Sequence, residues 1–214
     1  SSLIIPTSIF DLLEETDDYY FPPVTGTYIR ITRYIVTFAT LFLTPVWLLM
    51  LQNPDYVPEP LKFLLSGTDN NIPVFWQLIL LEIIIDGLRL AALNTPTFIS
   101  TSLSVIGAII LSQFAVDTGW FSTEALLYMA FVAMANYSQP NFELGYCLKF
   151  MRMLILILTF IFNFWGFVAG VAITLILVAT NKTVSGKSYL YPLIPFNGHE
   201  LLKKLVRLNL KSSS

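Results

Sequence analysis

The chain has 214 residues, of which 55% are hydrophobic and 12% are charged, and its mean hydropathy is +0.69. A soluble domain of this length could not bury so much apolar surface, so the composition excludes a soluble globular protein and predicts one that lives in a lipid bilayer. The net charge is −2 and the basic residues form no patch interleaved with aromatic residues, so nucleic acid is excluded as an expected partner.

The first predicted element is an approach segment, residues 1–30, on the cytoplasmic side or at the membrane interface. Its stretch TSIFDLLEE can form a short capped helix, which Pro22 and Pro23 then interrupt. Arg30 and Arg33 follow directly. Residues 1–20 are acidic rather than basic and apolar, so we expect no cleavable signal peptide, and either insertion through internal helices or the tail of a longer protein.

A transmembrane helical domain is predicted over residues 31–181. Its first span is the uncharged run 35–52, which reaches the ~20 residues that cross ~30 Å of hydrocarbon when it is extended back to about residue 31. Pro45 is expected to kink this helix. The next segment, 53–73, holds four prolines and several acidic residues, which indicates a structured external loop.

The second apolar helix, residues 74–93, carries three charges in the stretch LLEIIIDGLRLAA. Spacings of four and three residues place Glu82, Asp86 and Arg89 on a single helical face. Each ionised side chain in the middle of a bilayer costs about 2.5 to 3.5 kcal/mol, so this face must meet protein, water or other charges.

Two interpretations of these charges remain open. Arg89 can pair with Asp86, which leaves Glu82 without a partner on its own helix. In the first interpretation the charges orient the helix and attach it to its neighbours, with Glu82 reaching Lys149 or Arg152. In the second, the carboxylates border an ion pathway, and repetition of the helix around a symmetry axis turns them into rings that favour cations.

The third apolar run, residues 98–116, contains no charged residue and carries small residues at every fourth position. This spacing predicts close helix packing, or else a hydroxyl-lined pore face. The small residues are Ser100, Ser104, Ala108 and Ser112.

The remaining apolar segments lie between residues 122 and 181. The run 122–138 is only marginally long enough to cross a bilayer and is a candidate re-entrant element. Residues 139–152 are predicted to be a polar connector. The uncharged stretch 153–181 would be ~43 Å long as one helix, so it must tilt, bend or extend beyond the core. Its Gly166 and Gly170 form a G-x-x-x-G pair, typical of helix packing within or between subunits.

The tail, residues 182–214, ends in GHELLKKLVRLNLK. Its leucines and valine fall largely on one helical side and its basic residues on the other, which predicts an amphipathic helix on an anionic membrane surface or against a partner.

Basic residues in the tail and beside the first span both favour the cytoplasm, so the number of crossings should be even. Five candidate spans are present. We therefore expect helix 74–93 or run 122–138 to dip in without crossing, or stretch 153–181 to fold back on itself.

Little in the sequence predicts an enzyme or a cofactor. Cys147 is the only cysteine, which excludes an internal disulfide, and it cannot form a zinc site with the single histidine, His199. The chain has no G-x-S-x-G, no H-E-x-x-H and no phosphate-binding glycine loop. We expect no enzyme, no metal and no cofactor. A proton-coupled transporter would show an inverted internal repeat, and we find none.

Five motifs succeed one another as they do in the A-subunit (GerA) family of spore germinant receptors. They are EETDDYYFPPVTGTYIRITRY, LLEIIIDGLRLAALNTPT, LSVIGAIILSQFAVDTGWFS, QPNFELGYCLKFMR and YLYPLIPF. From about residue 15 to residue 207 the chain resembles this family, and its AALNTPT variant is most similar to the stage V AF branch. The resemblance implies an integral protein of the spore inner membrane that lacks the large soluble amino-terminal part of family members.

The resemblance also implies an activity and partners. It implies an oligomeric channel, a pentamer, that releases monovalent cations early in germination. Receptor A subunits work with a transporter-like B subunit and a lipoprotein C subunit, and the stage V AF branch with a small membrane partner. The charged helix of this chain matches the family pattern, with Asp86 where many relatives have Glu. The connector motif also matches, at Pro140, Asn141, Glu143, Leu144 and Gly145.

We therefore expect an all-α integral membrane protein with about four to five transmembrane helices, one of them re-entrant, and a C-terminal amphipathic interfacial helix. Glu82 and Asp86 would shape a path for monovalent cations, Arg89 would fix the helix, and Gly166 and Gly170 would support packing. The alternative is a non-conducting membrane scaffold that assembles other germination proteins.

Overall fold

The computed structural model describes residues 8–15, 20–65, 71–94, 113, 116–139, 141–181, 189–193 and 196–206. Within these ranges the chain forms helices and turns and no β-strand, which confirms the all-helical prediction for this part of the protein. The α-helices are α1 (Ile9–Leu13), α2 (Pro23–Gln52), α3 (Val74–Asn94), α4 (Thr123–Tyr137), α5 (Phe142–Thr180) and α6 (Gly198–Leu205).

Helix α1 is the short capped helix that the sequence predicts. The Ser8 hydroxyl oxygen accepts a hydrogen bond from the Asp11 amide at 3.3 Å and so satisfies one of the free amides of the first turn.

Helix α2 begins at Pro23, where the missing N–H costs nothing. Its 30 residues are about 45 Å long. The helix therefore starts before the predicted span and includes the end of the approach segment.

The loop after α2 is structured over its described part, residues 53–65, as the prolines predict. It contains two 3-10 helices, Pro54–Tyr56 and Glu59–Leu64. The indole nitrogen of Trp47 donates a hydrogen bond to the Leu64 carbonyl at 2.8 Å, which holds the loop against α2.

Helices α3 and α4 start side by side because one buried amide bonds to both chain segments. Gln77 is fully buried; its amide nitrogen donates to the Ile72 carbonyl at 2.7 Å, and its amide oxygen accepts from the Ser122 backbone at 2.9 Å. The Ser122 hydroxyl in turn caps α4. The 15 residues of α4 are about 22 Å long, which is less than a bilayer core of ~30 Å.

Helix α5 reverses its direction at Asn163, where φ is 54° and ψ is −131°. In a straight helix, residues 155 and 170 would be about 22 Å apart. Instead, a Cβ atom added at Gly170 would lie 2.9 Å from the Cα atom of Ile155. The long apolar stretch therefore folds back on itself, which is one of the alternatives that the sequence left open.

The two arms of α5, residues 142–162 and 164–180, form an antiparallel hairpin. Gly166 lies where the arms are closest, since a Cβ atom there would collide with the Leu158 carbonyl oxygen on the facing arm. Gly170 lies one turn further along the same contact. The G-x-x-x-G pair thus lies between two parts of the same chain and lets their backbones approach closely.

The hairpin and α2 define two ends of the helical group. At one end, which we call the Asn53 end, the side chains of Asn53 and Asn163 exchange hydrogen bonds of 2.5 and 3.2 Å. At the other, the Leu13 end, Leu13 of α1 packs with Leu144 at the start of α5. The second arm also returns to this end, where the Asn181 carbonyl accepts a hydrogen bond from the Tyr189 amide at 3.1 Å.

The main hydrophobic core joins α2, α3, α4 and the first arm of α5 next to the loop. Its buried residues are Trp47, Leu48, Phe75, Leu78, Leu81, Phe121, Ala125, Met129 and Leu156. Phe75 stacks on Phe160 with ring centroids 4.0 Å apart, which places the start of α3 at the Asn53 end. The core thereby fixes the depth of α3 against the hairpin.

Two helices of the described part are long and apolar enough to cross a membrane, Pro23–Gln52 and Glu143–Thr180. They support membrane association. The number of four to five spans stays a prediction. The third apolar run with its small residues, Ser100, Ser104, Ala108 and Ser112, lies outside the described residues, and so does Pro140.

Candidate functional site

The candidate site is a cluster of charged side chains between α3 and the first arm of α5. Helix α3 places Glu82 and Asp86 four residues apart on the face that meets α5. The first arm presents Lys149 and Arg152 three residues apart on the opposing face. Two acidic and two basic groups therefore meet across one helix contact.

Glu82 is the centre of this cluster and is 7% exposed. Its Oε1 atom accepts a hydrogen bond from Nη2 of Arg152 at 2.6 Å and lies 3.4 Å from Nζ of Lys149. Both residues named in the first interpretation of the charges are thus its partners. Removing one member of such a buried, hydrogen-bonded ion pair strongly destabilises a protein, because the other charge is left without its partner.

Asp86 lies at the edge of the cluster and accepts a hydrogen bond from Nζ of Lys149. Its side chain is 38% exposed, against 10% for Glu82. An ammonium that contacts Asp86 thus comes from another helix, α5.

Arg152 also connects the cluster to α2. Its Nη1 atom donates to the backbone carbonyl of Thr40 at 3.0 Å. The Thr40 hydroxyl is turned away from this contact and donates to the Val36 carbonyl at 2.8 Å. One guanidinium therefore holds three helices, α2, α3 and α5, at the same level. Since Arg152 is midway along the first arm, that level is about 15 Å from either end of the arm.

Arg89 lies between two aromatic rings, one turn beyond Asp86. Its guanidinium carbon is 5.0 Å from the ring centroid of Tyr137 on α4 and 5.0 Å from that of Tyr146 on α5. Both distances are in the range of cation–π attraction. Arg89 therefore contacts two neighbouring helices.

The four charges between α3 and α5 compensate one another, and the space beside them is small. A cleft of about 10 Å³ is lined by Glu82, Asp86, Arg152 and Asn136, among others. That volume holds about one water molecule. A single subunit therefore has no open path for a hydrated ion at this place in the described part of the chain.

The connector motif is the start of α5, so the prediction of a polar connector over residues 139–152 is wrong from Phe142 onwards. Asn141 caps the helix, since its Oδ1 atom accepts a hydrogen bond from the Glu143 amide at 2.9 Å. Asn at the N-cap with Glu in the first turn is a helix-start signal that the polar appearance of the segment concealed.

The other motif residues position this helix start. Leu144 is buried in a small cluster with Leu13 and Leu148. Gly145 allows α4 to approach, because a Cβ atom there would lie 2.7 Å from Oδ1 of Asn136. The motif therefore sets where α5 begins relative to α1 and α4, and with it the height of Lys149 and Arg152.

Three residues of the site escaped the sequence reading: Thr40, Tyr137 and Tyr146. A backbone carbonyl carries no sequence signal. The tyrosines lie on two helices that are distant from Arg89 in the chain, so nothing in their spacing points to Arg89.

The comparison with known families covers the whole chain. Residues 1–214 match the family described as Bacillus/Clostridium GerA spore germination protein. No solved structure matches the chain.

Three similar proteins come from Bacillus subtilis (strain 168). Stage V sporulation protein AF is 35% identical over 207 residues, which cover 97% of this chain and 42% of that protein. Spore germination protein A1 is 24% identical over 217 residues, which cover 98% and 44%. The uncharacterized membrane protein YfkQ is 26% identical over 205 residues, which cover 94% and 40%. The chain therefore spans about two fifths of the length of these relatives.

Proposed function

Because this chain belongs to the GerA family of spore germination proteins, we propose that it is a multi-pass membrane subunit of a germination complex and that, as an oligomer, it conducts monovalent cations out of the spore core. The observation that carries this proposal is the charge cluster at the middle of membrane-length helices, with Asp86 at its partly exposed edge. An ionised side chain at such a depth has a high free-energy cost and is typical of an ion path.

The hairpin supports a multi-pass topology with an even number of crossings. Helix α2 and the first arm of α5 each run from the Leu13 end to the Asn53 end, and the second arm returns. Arg30, Arg33 and Lys204 all lie at the Leu13 end, near α1. By the positive-inside rule this end faces the cytoplasm. The inner membrane of the spore, which the family resemblance implies, is part of the proposal.

The small cleft supports an oligomer. Since about 10 Å³ beside the cluster cannot pass a hydrated ion, the conducting path would lie between subunits, around an axis at which copies of α3 meet. The pentamer implied by the family resemblance is one such arrangement. Other membrane germination proteins, which the family resemblance implies as partners, would bind outside this ring.

The two carboxylates take different roles in this proposal. Glu82 is paired with Arg152 and holds α3 in place, so it is a positioning residue. Asp86 contacts Lys149 and keeps part of its surface exposed. A ring of Asp86 carboxylates around the axis would attract cations.

The test is cation efflux from liposomes that contain the chain, alone and together with candidate partner subunits. Asp86→Asn removes the charge with little change of shape and should lower cation efflux and cation-over-anion selectivity several-fold. Asp55→Asn, in the exposed loop, is the matched control and should leave both unchanged. Unchanged efflux in an inserted, assembled Asp86→Asn protein would exclude Asp86 from the path.

A non-conducting scaffold is the second candidate, and the pairing of Glu82 with Arg152 and Lys149 favours it. In that case the charges only join helices. Wild-type liposomes would then show no efflux with any partner, whereas Glu82→Gln would reduce recovery of germination membrane proteins that co-purify with the chain.

A further inference from the structure

Helix α6 of the tail is docked on α1 through one lysine. Nζ of Lys204 donates to Oδ1 of Asp11 at 2.5 Å and to Oε2 of Glu14 at 2.9 Å. The backbone carbonyl of Lys204 accepts a hydrogen bond from Nη1 of Arg30 at 3.4 Å, and Arg30 also contacts Glu14 at 3.2 Å. We call these four residues the tail seat. They join α1, α2 and α6 at the Leu13 end.

The tail seat is the point where the tail and α1 hold each other on α2. Besides the seat, the Ile9 amide donates to the Tyr189 carbonyl at 3.1 Å, and Arg33 donates to the Leu13 carbonyl at 2.9 Å. Helix α1 has only five residues and is too short to be stable by itself. Its position therefore depends on contacts with α2 and with the tail, and release of α6 would remove part of them.

The docked helix is oriented differently from the amphipathic helix that the sequence predicts. Its basic residue Lys204 points to the protein, where it is partly buried, and its apolar residue Leu202 is 59% exposed. An exposed leucine and a lysine bound by carboxylates are the two groups that an anionic bilayer surface would also bind, by burying the first and attracting the second. Phospholipid phosphates and the carboxylates of the tail seat offer the same kind of ligand to the ammonium.

We propose that α6 is an electrostatic latch, closed when the Lys204 ammonium is bound to Asp11 and Glu14 within the tail seat and opened by anionic phospholipid headgroups that compete for the same ammonium. The closed latch holds α1 against α2. An open latch moves α6 onto the membrane surface and removes the Lys204 ammonium from Asp11 and Glu14. The latch is independent of ion conduction, and its test needs no channel activity.

Opening of the latch is followed by the distance between a spin label on α2 and a spin label on α6. Tyr28 and His199 are both exposed, so labels at Tyr28→Cys and His199→Cys, in a Cys147→Ser background, report the closed state as one short distance. The protein is reconstituted in vesicles of phosphatidylcholine alone, or of phosphatidylcholine mixed with phosphatidylglycerol. We expect the short distance to dominate in the neutral vesicles and its share to fall in the anionic ones.

Two variants and a control identify the cause. Lys204→Gln, and separately the double variant Asp11→Asn/Glu14→Gln, should lower the closed-to-open ratio about ten-fold in neutral vesicles, as expected for loss of charged hydrogen bonds. Lys62→Gln removes the same charge from an exposed pair at the other end and should change nothing.

The outcomes separate clearly. If Lys204→Gln opens the tail but phosphatidylglycerol does not, lipid competition is wrong. If neither the variants nor the lipid changes the distance, the tail seat does not hold α6 and the whole proposal is overturned. The proposal is supported if anionic lipid opens the tail to the same extent in the unmodified protein and in the Lys62→Gln control, and if both tail-seat variants open the tail in neutral vesicles.

Discussion

Loss of the Glu82 carboxylate should destabilise the helical group strongly. Arg152 has a side chain that is 3% exposed and gives one hydrogen bond of 2.6 Å to Glu82. Glu82→Leu would leave that positive charge in the interior without its carboxylate, which costs about 3 to 5 kcal/mol for a buried pair. For a chain of this size the unfolding midpoint should fall by roughly 6 to 20 °C.

A double-mutant cycle shows whether this loss belongs to the pair. In Glu82→Leu/Arg152→Met both charges are replaced by apolar groups of similar volume, so most of the lost stability should return. The measurement is thermal unfolding in detergent micelles, followed by circular dichroism. Glu59→Leu is the control, because Glu59 is in an exposed pair with Lys62 and its removal should cost less than about 1 kcal/mol. A double variant no more stable than Glu82→Leu would refute the reasoning.

Three further predictions concern the hairpin and the tail. Gly166→Ala should destabilise the hairpin by about 1 to 3 kcal/mol because its Cβ atom meets the facing backbone, whereas Gly87→Ala, in open space on α3, should be neutral or stabilising in the same unfolding assay. Asn53→Ala should cost about 1 to 3 kcal/mol, since it leaves the amide of Asn163 without its partner; a wild-type unfolding midpoint would contradict this. Burial opposes the charged form of Lys204, but its hydrogen bonds to two carboxylates outweigh burial and raise its pKa above the ordinary 10.5. A raised pKa means that the tail contact is fully present below pH 10.5 and is lost as the pH rises through the higher folded value; a closed spin-label distance already lost at lower pH would show that another group controls the latch.

Several features could be predicted because their signal is local. The stretch TSIFDLLEE indicated the capped helix α1, and an apolar run between turn residues gave α3 within one residue of its end. The family motifs gave the GerA assignment, which the whole-chain match confirms. Local rules of capping and periodicity were sufficient for these elements.

The pairing of Glu82 with Lys149 or Arg152 and the folding back of α5 could each be predicted only as one of several alternatives. Lys149 and Arg152 are more than sixty residues from Glu82, so only the fold decides which carboxylate each one meets. Asn163 interrupts a long run of apolar residues without a proline next to it, and its backbone conformation depends on the amide pair with Asn53. The sequence could only list folding back among the options for that stretch.

The hairpin has a consequence for how the protein enters the bilayer during synthesis. The second arm and the end of the first lie in a stretch without a charged residue, from Met153 to Asn181, and the tip of the hairpin is a single asparagine with its aromatic neighbours. Moving such a tip through hydrocarbon requires no ionised group to shed its hydration shell. In the proposed multi-pass topology, we therefore expect the translocon to release the two arms as one unit, after α2 has brought Asn53 to the far side to receive the tip.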